Sequence, residues 1–221
     1  MTIDHAARPA PAEPDLRGFL IAHAGFRTEF GRLAGAAAAV RDAAHAALIE
    51  DQIQLVSAHL EHHHGDEDAW MWPLLRSRIP NALPVLDSLE EQHEHIDPLL
   101  HAVGDRSRPL AERAEHMRRL HQLLGDHLDQ EERDAVPLIR AAITPDEFAE
   151  AADRATKSTP KKQVPTMFGW LASCADPAQV AGVLEPIPWP VRMLFRLVWW
   201  PAYRRRYQAL YGVELRRHAD R

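Results

Sequence analysis

At 221 residues with 46% hydrophobic letters, the chain has enough apolar material for one well-buried domain plus an appendage, and two independent domains would stretch it. The formal charge of -6 argues against general nucleic-acid binding, although residues 190–221 carry eight arginines against Glu214 and Asp220, a net +6 that leaves -12 for the remainder. One cysteine, Cys174, excludes an intramolecular disulfide framework and fits a reducing, cytoplasmic setting, and no stretch reads as a signal peptide or a spanning helix.

Residues 1–14, with Pro9, Pro11 and Pro14 among small residues, read as a flexible leader. A first helix is expected from about Asp15, where Leu16, Phe19, Leu20, His23, Phe26, Arg27, Phe30, Leu33 and Ala34 recur at helical spacing. A second should run from about Ala43 to Arg78 with Leu48, Ile53, Val56, His59, Leu60, His63, Glu67, Trp70 and Leu74 inward. Pro73 should bend it, because proline lacks a backbone donor and its ring crowds the carbonyl four residues back. A third follows the Pro80-Asn81 turn with Leu86, Leu89, His93, Ile96, Leu99 and Leu100 inward, a kink at Pro98 and a stop at Gly104.

The fourth helix spans about Leu110 to Ala142 and carries Met117, Leu120, Leu124, His127, Leu128, Glu131 and Leu138. Thr144-Pro145-Asp146-Glu147 has the form of a capping box with proline at the first helical position, so a short helix should run to about Thr156. Residues 157–165, with Pro160, Lys161, Lys162 and Pro165, read as a linker. Two short helices, about Met167–Cys174 and Pro177–Leu184, then precede a longer one from about Pro190 to Tyr211, interrupted near Pro201.

One pattern occurs twice. In residues 59–73 and again from His127, a His is followed four residues later by a Glu and six residues after that by a Pro, so His63, Glu67 and Pro73 map onto His127, Glu131 and Pro137. Each copy is preceded by a helix with a single inward His, His23 or His93, and this repeated order of parts is a stronger signal than any single motif. Helical i, i+4 spacing puts each His and Glu on one face, so each pair can aim an imidazole and a carboxylate at one point. Together the four imidazoles and two carboxylates make the interior metal site that four-helix bundles build from facing side chains, and mixed ligation of this kind suits iron, with manganese or zinc as alternatives.

On these residues the chain resembles the hemerythrin-like family with the HHE cation-binding domain. The resemblance covers about residues 15–142 and rests on His23 with Arg27, the stretch His63 to Pro73, His93, and the stretch His127 to Pro137. It implies an all-α, up-and-down four-helix bundle over 15–142, followed by a helical C-terminal extension, 143–221, with a basic tail. It also implies two non-haem iron ions with an oxo or hydroxo bridge, held by His23, His63, Glu67, His93, His127 and Glu131.

Oxygen carriers of the family have a second His four residues after the third-helix ligand, where this chain has Asp97, and a longer spacing to the fourth-helix carboxylate, an Asp in them. Loss of that His is expected to leave one metal open near Asp97. The function expected is binding of and reaction with a small oxidant, either dioxygen, hydrogen peroxide or nitric oxide, with peroxide decomposition favoured. The alternative is a non-catalytic sensor or store that signals through the extension.

Blander readings apply elsewhere. His59, His62, His64, His95, His101, His116 and His121 read as solvated or as hydrogen-bonding supports, and His59, one turn before His63, is the first choice as a support. His5, His45 and His218 lie outside the repeat, and Trp70 and Trp72 read as core. All three tyrosines, Tyr203, Tyr207 and Tyr211, lie in the tail, so one could approach a metal only by folding back. The tail's Arg192, Arg196 and Arg204 to Arg206, interleaved with Phe195, Trp199 and Trp200, can lie on an anionic membrane, but such segments more often pack on their own domain or on a second copy in a homo-oligomer.

Overall fold

The computed structural model describes residues 12–215, so most of the expected leader and the last arginines of the tail lie outside the described residues. Among the described residues all regular structure is helical and no strand occurs. α1 spans Arg17–Ala38, and α2 spans Ala43–Asp66, where the Asp42 carboxylate caps the helix by accepting the His45 N–H at 2.7 Å. A wider π-helical turn, Glu67–Met71, joins α2 to α3, Trp72–Arg78. α4 is Leu83–Gly104, ending on the glycine expected to stop it, and it keeps α-helical form through Pro98. α5, Leu110–Gln130, passes through a second π-helical turn, Glu131–Ala135, into α6, Val136–Ala142.

The bends expected at the prolines take a specific form. In the two turns ahead of Pro73 and Pro137, the Trp72 N–H donates to Glu67 O and the Val136 N–H to Glu131 O, five residues back. Widening the turn makes room for a proline ring that would otherwise press on the carbonyl four residues before it. Each widened turn begins at one of the repeated glutamates, so the duplication read in the sequence extends to the backbone.

α1 packs on α5, α5 on α4, α4 on α2 and α2 on α1. Two apolar clusters fill the space they enclose. One contains Phe26, Phe30, Ile53, Val56, Leu60, Ile96, Leu100, Met117, Leu120 and Leu124, and the other contains Leu16, Met71, Trp72, Leu75, Leu86, Leu89, Ala135 and Ile139. α1 and α4 run from the second cluster to the first, while α2 with α3 and α5 with α6 run the other way. On all four paths the repeated His and Glu residues fall between the clusters, so a buried polar layer divides the core.

The remaining helices wrap this core. α7, Pro145–Ser158, has the capping box that its sequence predicts, with reciprocal bonds between Thr144 and Glu147, and it runs two residues past the expected end. α8 is Val164–Cys174, starting three residues earlier than expected, and α9 is Pro177–Leu184. α10, Trp189–Leu194, a third π-helical turn, Phe195–Trp199, and α11, Trp200–Tyr211, are the last helical elements among the described residues, the turn again just ahead of a proline, Pro201.

α8 and α9 pack on α1, α11 packs on α2 and α8, and α7 packs on α2. Glycine allows the closest of these approaches: a Cβ at Gly25 would stand 2.7 Å from Trp170 Cζ2, and one at Gly169 would collide with Tyr203. The tail thus folds back on its own helices, burying Tyr203, Tyr207 and Leu210, while Trp189, Leu194, Leu197 and Val198 stay exposed.

The seal between α11 and α1 is polar. Glu29 is buried and accepts from Tyr211 Oη at 2.6 Å and Gln52 Nε2 at 2.7 Å, with Arg32 Nη1 at 3.4 Å. Burial raises the Glu29 carboxyl above its ordinary range, and the bonds from Tyr211, Arg32 and Gln52 only partly offset it. The folded chain therefore holds this proton more tightly than the unfolded chain, and the associated stability is present at acid pH and lost as pH rises through the raised pKa. Glu29→Gln keeps an oxygen for Tyr211 and removes the charge, so its melting temperature relative to wild type should improve as pH rises from the ordinary glutamate range towards neutrality. A gap between the two melting curves that stays constant across that range would show that Glu29 is ionised in the fold throughout.

Candidate metal centre

His23 from α1, His63 and Glu67 from α2 and its π turn, His93 from α4, and His127 and Glu131 from α5 and its π turn meet in the polar layer. Their ligand atoms fall into two groups able to hold a metal ion: His23, His63, Glu67 and Glu131 in one, and His64, His93 and His127 in the other. The carboxylates span the groups. Glu67 places Oε1 3.1 Å from His63 Nε2 and Oε2 3.5 Å from His93 Nε2. Glu131 Oε2 lies 3.6 Å from His23 Nε2 and 3.7 Å from His127 Nε2. Each carboxylate therefore faces one imidazole of each group.

The outward nitrogens of three rings are tied down. Nδ1 of His23 pairs with Glu132 Oε1 at 3.0 Å, Nδ1 of His93 with Asp68 Oδ1 at 2.8 Å, and Nδ1 of His127 with Gln92 Oε1 at 2.9 Å. An acceptor at Nδ1 fixes the proton there and leaves Nε2 as a lone pair turned inward, the arrangement that orients metal-binding imidazoles. Gln92 is itself held by Gln130, and Glu132 by Arg27 Nη2 at 3.1 Å. Arg27 thus acts on His23 through Glu132 and also donates to Gly125 O at 3.1 Å.

The interior shows what this layer lacks when protein atoms stand alone. Both oxygens of Glu67 and of Glu131, Nε2 of His93 and of His127, and both ring nitrogens of His64 are buried without a hydrogen-bond partner. His23 Nε2 and His63 Nε2, two atoms that would each offer a lone pair to a cation, stand 3.0 Å apart. Orphaned acceptors converging in a dry layer are unfavourable unless a cation or protons fill the space between them. Burial, and then the facing carboxyl of Glu131, push Glu67 well above the usual carboxylate range, and burial raises Glu131 too. Burial holds the His63 imidazole well below its ordinary value, that of His64 down to about 4 and that of His127 down to about 2. Without a cation the carboxyl pair keeps a proton and these rings stay neutral, so the residues fit a metal: the donor set is imidazole and carboxylate with no thiolate.

Three residues sit differently from their sequence readings. His64 was expected to be solvated or a support, yet it is buried among the proposed ligands, its ring stacked on His93 at 4.0 Å between centroids and 12° between planes. In that stack the two ring planes are nearly parallel, so lone pairs lying in them meet on one ion only after a ring turns. Its signal was present as His64-x-x-Glu67, since i, i+3 neighbours share a helix face as surely as i, i+4 neighbours do. Asp97, expected to mark an open metal position, is half exposed and lies 3.8 Å from His64 Nδ1, too far for a hydrogen bond, so the imidazole nearest that position comes from α2. His59 packs edge-on against Trp170 at 5.8 Å and carries no bond to His63, contrary to the support expected of it, and burial holds its imidazole down to about 4.

A helical core with a layer of buried imidazoles and carboxylates defines a cation-binding helical protein. The family model described as hemerythrin HHE cation-binding domain matches residues 18–139, more than half of the chain, and the chain belongs to that family. No curated protein and no solved structure matches it.

Asp68 offers a test of the layer, because it touches His93 without lying among the inward donors. Asp68→Ala should weaken metal binding by on the order of 10- to 100-fold while leaving the helical content unchanged, as loss of a carboxylate behind a ligating imidazole does. Competition titration with a chromophoric chelator reads this directly, and wild-type affinity in the variant would mean that His93 is not a ligand.

Proposed function

We propose that the chain is a non-haem di-iron protein, built as an up-and-down four-helix bundle with a helical extension, that removes hydrogen peroxide. The observation that carries the reading is the pair of carboxylates, Glu67 and Glu131, each facing one imidazole of each group. Two metal positions with shared carboxylates between them are what a dinuclear centre needs, and a lone metal would leave one group of imidazoles without a purpose. Iron bound there supplies Lewis acidity and a two-electron couple, the capacity that turning two hydrogen peroxide into two water and dioxygen requires.

The residues around the layer prepare it for that work. Glu132, Asp68 and Gln92 keep the protons of His23, His93 and His127 on Nδ1, so their Nε2 atoms stay available. Phe19 and Phe26 cover the His63 ring at 5.0 and 5.4 Å and limit water on the α1 side. On the α4 side, His64 and the half-exposed Asp97 lie between the layer and solvent.

A second reading, a sensor of oxygen, nitric oxide or iron that signals through the extension, is supported by one contact. Trp170 of α8 packs on Phe26 at 5.6 Å and against Gly25, two and three residues along α1 from His23. A shift of α1 on metal or ligand binding would press directly on the extension.

Iron-loaded protein given peroxide should release dioxygen through many turnovers, and Glu67→Ala combined with Glu131→Ala should abolish both dinuclear loading and that release. Binding of peroxide or nitric oxide without sustained dioxygen release selects the sensor. Two iron equivalents retained by the double variant would remove the carboxylate pair from the centre.

A further inference from the structure

His64 is the imidazole of the layer that the repeated pattern leaves unassigned. It is 3% exposed, and both of its ring nitrogens are buried without a hydrogen-bond partner, so it is neither solvated nor tied to another residue as a support. An imidazole buried with both nitrogens orphaned is unfavourable unless something in the layer takes up a lone pair. What lies beside it is one of the two ligand groups: a nitrogen of His64 falls with donor atoms of His93 and His127, all within 4.8 Å of one another. His63, one residue earlier, faces the opposite group, its ring edge-on to that of His23 at 4.9 Å between centroids. Adjacent residues of α2 therefore stand one at each group.

The rear of the ring agrees. His23, His93 and His127 each have an acceptor behind Nδ1, namely Glu132, Asp68 and Gln92, and each keeps Nε2 towards the layer. His64 has the same order of parts with more slack, since Asp97 Oδ1 stands 3.8 Å from its Nδ1 and leaves Nε2 for the layer. Asp97, at the place expected to mark a vacancy, thus stands behind the ring that can fill it. The ring lies stacked on His93 with 12° between planes. Rotation about its Cβ–Cγ bond, a soft torsion in histidine, takes it out of that stack without moving α2.

The donors then divide unequally. Glu67 and Glu131 each face an imidazole of both groups, but the His23 side offers two imidazoles and the His64 side three. With one bridging oxygen shared between the ions, an octahedral ion on the His64 side is saturated, and its neighbour keeps an open position.

We propose that His64 is a metal ligand, completing with His93 and His127 the coordination of one ion, and that a small oxidant is therefore taken up at the other, between His23 and His63. The inference rests on the two-metal reading above.

His64→Phe keeps an aromatic ring on His93 and removes both lone pairs. In competition titrations with a chromophoric chelator, the variant should bind its first iron(II) as wild type does and its second more weakly, on the order of 10- to 100-fold, at unchanged helical content. A ring that only packs on His93 would leave both affinities at the wild-type value, and that result would overturn the proposal. Nitric oxide uptake by the anaerobic, iron(II)-loaded wild type, followed with a nitric oxide electrode, decides independently of whether the variant folds. One nitric oxide bound for every two irons is expected. Two irons bound with two nitric oxides would overturn the role of His64 and leave the two-metal reading standing. Wild-type protein that holds only a single iron would overturn that reading, and the inference with it.

Discussion

Glu67 and Glu131 set the terms for the rest of the molecule. Two carboxyl groups buried beside each other in an apolar interior repel, and each is raised by loss of water alone. The fold surrounds them with imidazoles, fixes three of those imidazoles from behind through Glu132, Asp68 and Gln92, and seals the layer above and below with apolar clusters. None of these partners neutralises the carboxylates, because neutral rings whose inward nitrogens are lone pairs add acceptors to acceptors. A cation would satisfy these acceptors together, and its binding would then couple to folding.

The same constraint bears on the two widened turns of the core. A strictly α-helical path through Pro73 or Pro137 would bring the proline ring against the preceding turn, and that turn begins at the glutamate. Placing one π-helical turn there absorbs the proline while the residue at its head keeps its inward position. Pro98 lies in a helix that contributes His93 and no carboxylate to the buried layer, and α4 passes it without a widened turn. Proline, glutamate and turn thus behave as one unit in each half.

Much of this could be read from the letters because it is local. Helical spacing gave the inward faces, a capping box gave the start of α7, and the repeat gave the grouping of His23, His63, Glu67, His93, His127 and Glu131. The part that escaped depends on which way a helix is rolled. His63 and His64 differ by about a quarter turn, and a helix rolled so that Glu67 points to the centre shows one ring to α1 and the other to α4. No spacing rule fixes that roll, which is set by packing against neighbours far away in sequence. Asp97 depends on packing in the same way: the letter at that position identified the missing imidazole, and only packing could show that the ring 3.8 Å from it comes from another helix.

The extension shows how long-range partners change the meaning of a segment. Read alone, α10 and α11 form a basic, aromatic tail suited to a surface. In the fold, Arg206 reaches Gln52 Oε1 at 3.4 Å and Leu48 O at 3.3 Å, His45 pairs with Leu210 O at 2.8 Å, and Tyr211 seals Glu29, so part of the tail's polarity is turned inward. What remains outside is a short apolar stretch, Leu194 to Val198, with Trp189. On the inner side, α7 to α9 meet the one flank of the metal layer that α4 and α5 do not cover, and they meet it with apolar side chains. A helical core that needed only to hold a metal could have closed that flank with its own residues. That flank, beside His63, is instead covered through long-range packing of α7, α8 and α9 on α1 and α2.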